Sequence, residues 1–462
     1  MNIKKIKLKY FNKWITILIL FIPFYYIFKL NSLISFPNEW DTIDFFSTTI
    51  FQNKFMPFSY NIGRQARFIP FQMLDYNIVL LFPQNLHRLP LVYQFLNLKF
   101  LILLICLYNL IKYICKIYKL KFNKFIFFSI IFISIGYSVN TFTYPVYSEF
   151  LITLLFYIFS FTYLKAKKTQ NYKLYIISFL LMFYMTYCKE IVFLIFLPLA
   201  IINILFNKKN ISILDRKFYY AIFFNAVIFL LLYITTMFLI YQKDMGIYHN
   251  ITKIRQISQY ISYYKIIFQQ KKFLILCIFI YIYNIYNIIK RDKYFDLHLL
   301  CLSGCVYMFI FLILCTHIWG IYYYDLCLLF SIPVIYILLS KILYKKILYV
   351  LLCIMIFSST KDKINKFNEK NRIEKINEDS INTLTQLNQK YSICNDIKTP
   401  LKYEISNILK YINHQKSDDH ISFLKPIINP PYCNIIFSDK IPLNNNQKIT
   451  IDWMEFYYDI VK

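Results

Sequence analysis

Glycine is nearly missing from this chain, with five in 462 residues, and no internal repeat or low-complexity segment is visible. The six histidines (His87, His249, His298, His317, His414 and His420) form neither HxxxH nor HExxH, so a dedicated zinc site is not expected. Eleven cysteines contain no CxxC pair, and most lie inside apolar runs, where a thiol acts as a small core residue. No small-residue cleavage site follows the first apolar run, which is therefore expected to stay as a membrane anchor. Acids are few as well, 24 against 52 Lys and Arg, and only seven of those bases are arginine.

What is abundant is apolar length. Hydrophobic residues make up 58% of the chain, and long apolar runs recur from Trp14 to about Ser359. Only lipid, or one another, can solvate such runs, so the pattern predicts a polytopic all-α membrane protein. Eleven transmembrane helices are expected, near 14–34, 89–111, 125–143, 146–164, 172–187, 190–206, 218–241, 273–289, 298–316, 322–340 and 343–359. Residues 361–462 hold 15 Lys and Arg against 13 Asp and Glu. The surplus of the +28 charge thus belongs to residues 1–360, at helix ends, which signals membrane orientation and excludes a nucleic-acid partner.

The lysine bias places the N-terminus in the cytoplasm. Segments 112–124, 165–173, 207–217, 290–297 and 341–346 then face the same way, and with the N-terminus they carry 24 Lys and Arg. Two long outer loops follow, 35–88 and 242–272, and the C-terminal tail 361–462 is extracytoplasmic. It starts polar and helix-like, turns rich in Pro and Asn, and is expected to form a small α+β or irregular domain. Cys394 and Cys433 would there meet an oxidising compartment in which a disulfide is plausible.

Residues 1–360 contain eleven acids. Asp215, Asp292 and Asp296 fall among inner lysines, where a solvated or paired surface role suffices. The other eight, Glu39, Asp41, Asp44, Asp75, Glu149, Glu190, Asp244 and Asp325, all map to the outer side. Glu149, Glu190 and Asp325 sit at the outer ends of apolar spans, where an ionised group needs a polar cavity or a partner. Each could be a structural ion pair, for example with Lys189. Several helices carrying acids at one depth predict a shared, wet cavity.

The stretch PNEWDTIDFFSTTIFQNK extends the pattern. As a helix from Asp41 to Lys54 it sets Ile43, Phe46 and Ile50 on one side and Asp41, Asp44, Thr48 and Gln52 on the other, as an interfacial helix would. Helix capping explains one of the two acids better than both. Arg64, Arg67 and Arg88 fall in the same loop, in a chain whose default cation is lysine. A guanidinium binds phosphate bidentately and keeps its charge when desolvated, although a headgroup contact would also use it.

With an acid soon after the first span, an amphipathic first outer loop, GRQARFIP from Gly63 to Pro70, and a KE pair at Lys189–Glu190, the chain resembles integral-membrane glycosyltransferases of the GT-C fold. The likeness covers residues 1–360, and the tail is unmatched. It implies a polyprenyl-phosphate sugar donor and a lipid or glycan acceptor at the outer membrane face. Asp41 or Asp44 would be the catalytic acid of the first loop, with Asp41 favoured. Arg64, Arg67 and Lys189 would hold the donor phosphate. Glu39, Glu149, Glu190 and Asp325 would line the acceptor cavity. No cofactor is implied, and no metal is predicted, since WDTID has two intervening residues where a DxD pattern has one. Two other readings stand beside this one: an O-antigen-type polymerase, disfavoured because the arginines cluster in the first loop, and a flippase or transporter of lipid-linked saccharide, disfavoured by the absence of a repeat and the scarcity of glycine.

Overall fold

Helices occupy each of the eleven apolar segments over most of its length. The computed structural model describes residues 3–34, 70–82, 88–145, 148–189, 191–206, 211–236, 265, 273–314, 325–342, 344–390, 393–395, 435–438, 448–451 and 454–460. Helix α1 spans Ile3–Ser32, α2 Arg88–Ile117, α3 Lys124–Tyr137, α4 Val139–Thr143, α5 Ser148–Thr169 and α6 Tyr172–Cys188. Then come α7 Val192–Phe206, α8 Ile213–Thr235, α9 Phe273–Ile289, α10 Phe295–Leu314, α11 Asp325–Lys341 and α12 Lys345–Lys390, while a 3-10 helix at Leu74–Leu81 precedes α2.

Four stretches are long and apolar enough to cross a membrane: Trp14–Ser32, Pro90–Ile117, Ser148–Thr169 and Ile213–Thr235. Shorter apolar helices stand beside them, among them Tyr172–Cys188 and Leu274–Ile289. The perimeter is greasy: Trp14, Leu231, Phe279 and Ile354 are all exposed, and Phe357 is 78% exposed. A water-soluble protein does not present that much contiguous apolar surface, so this is a helical membrane protein.

Two features differ from the sequence expectation. The run 125–143 is not one helix: it breaks at Ser138, whose amide still bonds back to Ser134 and Ile135, and the short α4 follows. Thr141 of α4 donates to Asp325 on α11. And α12 does not stop at the apolar boundary near 360. It runs on to Lys390, 46 residues in all from Lys345, about 69 Å at the usual rise, so apolar and polar halves share one helix.

Packing follows the apolar faces: α5 lies on α6 and α2, α8 on α7, α10 on α11, α9 and α7, and α12 on α3. At the centre Phe156 of α5 stacks on Phe330 of α11 with centroids 3.8 Å apart, and Tyr157 donates to the Leu329 carbonyl at 2.8 Å. Gly304 shows why one of the rare glycines sits in α10. A Cβ there would lie 3.0 Å from the Tyr281 hydroxyl and 3.1 Å from Phe330 Cβ, closer than packed atoms tolerate.

Scarcity of glycine is visible at the helix ends. Lys119, Gln170 and Arg291 take the left-handed backbone conformation just after α2, α5 and α9, with φ of 54°, 50° and 51°. Leu120 and Asp292 then donate to the carbonyls of Cys115 and Asn287, the hydrogen bond that closes a helix where glycine is usual. Long polar side chains accept the αL cost of about 1 kcal/mol at these turns.

In the tail, four strands form a sheet of order β1-β2-β4-β3, with β1 Ile393–Asn395, β2 Ile435–Ser438, β3 Lys448–Ile451 and β4 Met454–Ile460. β1 and β2 are parallel and the other pairs antiparallel. Met454, Phe456, Tyr458 and Ile460 alternate with Glu455, Tyr457 and Asp459, the period of a strand with unlike faces. Cys394 lies in β1 opposite Ile436, while Cys433 is outside the described residues.

Candidate functional site

One end of the bundle gathers five charged side chains that are buried or part-buried: Asp75, Lys99, Glu149, Lys189 and Asp325. Segment 70–82 docks there through two bonds: the Phe71 amide donates to the Tyr187 carbonyl at 3.1 Å, and Cys188 Sγ lies 3.8 Å from the Phe71 carbonyl. Phe71 also packs on Phe183, Tyr184 and Tyr187 of α6. This seats the 3-10 helix so that Asp75 faces Lys99 of α2.

Lys99 Nζ donates to Asp75 Oδ2 at 2.9 Å and to the Tyr76 hydroxyl at 3.2 Å. It also lies over the rings of Tyr76 and Phe95. A lysine in this setting is held by a carboxylate on one side and π-faces on the others. Burial, and then the charge of Asp75, push the Tyr76 hydroxyl well above its usual proton affinity, so it stays a neutral phenol.

The second pair joins Lys189, just beyond α6, to Glu149 in the first turn of α5. Both are buried, Glu149 with 1% of its side chain accessible. The third carboxylate, Asp325, opens α11 with no solvent exposure and accepts from Thr141 Oγ1 at 2.9 Å. Aromatic rings tie the three together: Phe142 packs on Phe100 and Phe150 at 4.9 and 5.2 Å, and Lys99 Nζ lies 5.3 Å from the Phe150 ring. Asn31 near the end of α1 donates to Asn97 of α2 at 2.8 Å, anchoring α1 two residues from Lys99.

Glu149 and Asp325, expected with Glu190 to line a wet cavity, and Lys189, expected at the donor phosphate, do not face open solvent. These three side chains are closed off from solvent, each satisfied by a protein partner in place of water. Lys189, expected at a donor phosphate, is paired with Glu149. Glu39, Asp41, Asp44, Arg64, Arg67 and Glu190 lie outside the described residues, as does the helix expected from Asp41 to Lys54; of Arg88 only the backbone is described. Sequence reasoning missed Lys99 and Thr141. Lys99 had a signal, as a single charge in the middle of an apolar run; Thr141 had none before the break at Ser138 was known.

The opposite end holds the lysine-rich turns, where Asp296 is paired and, like Asp292, part-exposed, as a paired surface role requires, while Asp215 is buried. Asp215 is buried and bound by Tyr175, by Ser212 at 2.8 Å and by Gln170. Ser212 in turn accepts from the Asp215 amide, capping α8. Asp296 holds Lys167, and the Tyr163–Tyr219 hydroxyl pair at 2.8 Å links α5 to α8 beside it. His298 Nε2 lies 3.7 Å from Asp292. The Asp215 and Asp296 networks brace helix ends, while His298 Nε2 is buried without a hydrogen-bond partner.

Among the described residues, no three His, Cys, Asp or Glu side chains come together in a set that could hold a metal ion. Comparison with protein-family models, with curated proteins and with solved structures finds no match to this chain.

Proposed function

We propose that this protein is an integral-membrane glycosyltransferase that moves a sugar from a polyprenyl-phosphate donor to an envelope glycan or lipid acceptor. The observation that supports it best is the buried polar cluster of Asp75–Lys99, Glu149–Lys189 and Thr141–Asp325 at a single end of the bundle. Both ends of the loop that carries Asp41, Asp44, Arg64 and Arg67 are anchored beside that cluster, through Asn31 on one side and Phe71 on the other.

On this reading Asp41 acts as general base, taking the acceptor hydroxyl proton as the oxygen attacks the anomeric carbon. Asp44 orients the acceptor or supports Asp41. The bond to the lipid phosphate breaks with inversion at carbon, and Arg64 and Arg67 meet the charge that builds on the departing phosphate. Lys189 can exchange its carboxylate partner for that phosphate. Glu149, Glu190 and Asp325 shape the acceptor side.

The test is glycan mass analysis of cells carrying Asp41→Asn or Asp44→Asn, with protein level checked. One sugar should vanish from an envelope glycan while membrane insertion stays normal. Unchanged glycans in both variants would refute the reading. Loss of precursor export with intact sugar composition would favour a carrier of lipid-linked saccharide instead.

A further inference from the structure

The lysine-rich end of the bundle contains a half-open cavity of about 680 Å³ between α1, the start of α3 and the start of α12, within the size range of small-molecule sites. Its two long walls are apolar. Ile15 and Ile19 of α1, one helical turn apart, face Phe125 and Phe128 of α3, so the space is a slot between two greasy rails.

The rim has one sign of charge. Lys121, Lys124 and Lys345 line it, and among the described residues no acidic one does. Lys345 Nζ donates to the Ser340 carbonyl at 2.5 Å, which leaves two of its three donors uncommitted to that bond. Of the remaining polar wall Asn123 is occupied: it donates to the Tyr349 hydroxyl, and its side-chain oxygen caps α3 through the Phe125 and Ile126 amides, whereas the Ser340 hydroxyl is buried without a hydrogen-bond partner. Burial, and then repulsion from Lys112, depress the proton affinity of Lys124, a cost that an anion in the slot would relieve.

We propose that this cavity binds an anionic phospholipid, its phosphate held by Lys121, Lys124 and Lys345 and one acyl chain laid between the rails of α1 and α3. The charge selects a phosphate-bearing ligand, and the apolar walls select one with a hydrocarbon tail. Phospholipid is the ligand of that description available to any membrane protein, so the inference stands apart from the sugar-transfer reading.

The test uses the full chain in a neutral detergent, with native mass spectrometry after addition of phosphatidylglycerol or phosphatidylcholine. Phosphatidylglycerol should remain bound at least tenfold better than phosphatidylcholine. The variant Lys121→Gln/Lys124→Gln/Lys345→Gln should lose it by about a hundredfold, about fivefold per lysine. The corresponding triple arginine variant should keep it, and so should Lys165→Gln/Lys168→Gln/Lys173→Gln, which removes equal charge from exposed positions at the α5–α6 turn. Ile19→Trp, which fills the slot with every lysine in place, should weaken binding on its own. Equal loss in the α5–α6 control, equal retention of phosphatidylcholine, or retention by Ile19→Trp would overturn the proposal. Displacement of the lipid by millimolar inorganic phosphate would also overturn it, because the site would then take a free anion and the rails would be idle.

Discussion

Removing one partner of the Glu149–Lys189 pair should be far more damaging than removing both. Less than a tenth of either side chain is accessible, so Glu149→Gln leaves a lysine charge buried without its counterion, and Lys189→Met does the same to the carboxylate. Such single losses cost about 3–5 kcal/mol, whereas replacing a buried pair by neutral groups of similar volume is close to neutral. The folded population relative to the unfolded one should fall by at least about a hundredfold in each single variant. In Glu149→Gln/Lys189→Met most of that loss should return. The assay is thermal denaturation in detergent, followed by light scattering and by limited proteolysis at fixed temperature. Singles that cost less than about 1 kcal/mol, or a double equal to the sum of its parts, would show that the pair is hydrated and uncoupled. If the cluster also serves chemistry, the double variant will be stable and yet fail the glycan assay.

Other perturbations test neighbouring parts of the fold. Lys363 of α12 is 4% exposed, donates to the Phe132 carbonyl and Ser359, and lies 3.6 Å from the Phe132 ring centroid. Burial, and then Lys366, lower its pKa from 10.5 to about 7. Below pH 7 both native and unfolded forms carry the proton and the full cost of burying it persists. Between pH 7 and 10.5 only the unfolded form holds it, so stability rises with pH, by ~2–3 kcal/mol from pH 6 to pH 9. Melting curves at pH 6, 8 and 9 should show this rise, and Lys363→Met should flatten it. Gly136→Leu should separate α12 from α3, because even a Cβ at Gly136 would lie 2.9 Å from Ser359 Oγ; hydrogen exchange along α12 should quicken locally. Thr141→Val strips Asp325 of a buried donor and should cost about 1–3 kcal/mol in the same melts, while Thr141→Ser should recover most of it.

Much of the helical framework was legible before any coordinates. Apolar runs longer than soluble cores need, such as those now seen as α1, α2, α5 and α8, report their solvent directly. Lysine placement also sorted the turns, and those near 118–123 and 290–294 do meet, with Tyr118 on Tyr294 at 4.5 Å and Lys341 over the Tyr294 ring. The depth of Glu149 and Asp325 was readable as well, since an acid interrupting an apolar segment is costly wherever it points.

Partner choice was only partly readable. Lys189 stood out as a partner for one of the outer acids, but nothing in a linear pattern selects Glu149, 40 positions away, or says that Asp325 takes Thr141 across 184. The break at Ser138, three residues before Thr141, has no strong sequence marker, and a rare glycine such as Gly304 reveals its purpose only when a neighbouring helix is seen at contact distance. Hydrophobic periodicity and charge count are properties of the chain's own solvent preference, so sequence alone determined that this is a helical membrane protein with charge sorted to its ends. Whether a buried charge is neutralised by protein or left to water depends on distances between helices, and only the tertiary structure decided that.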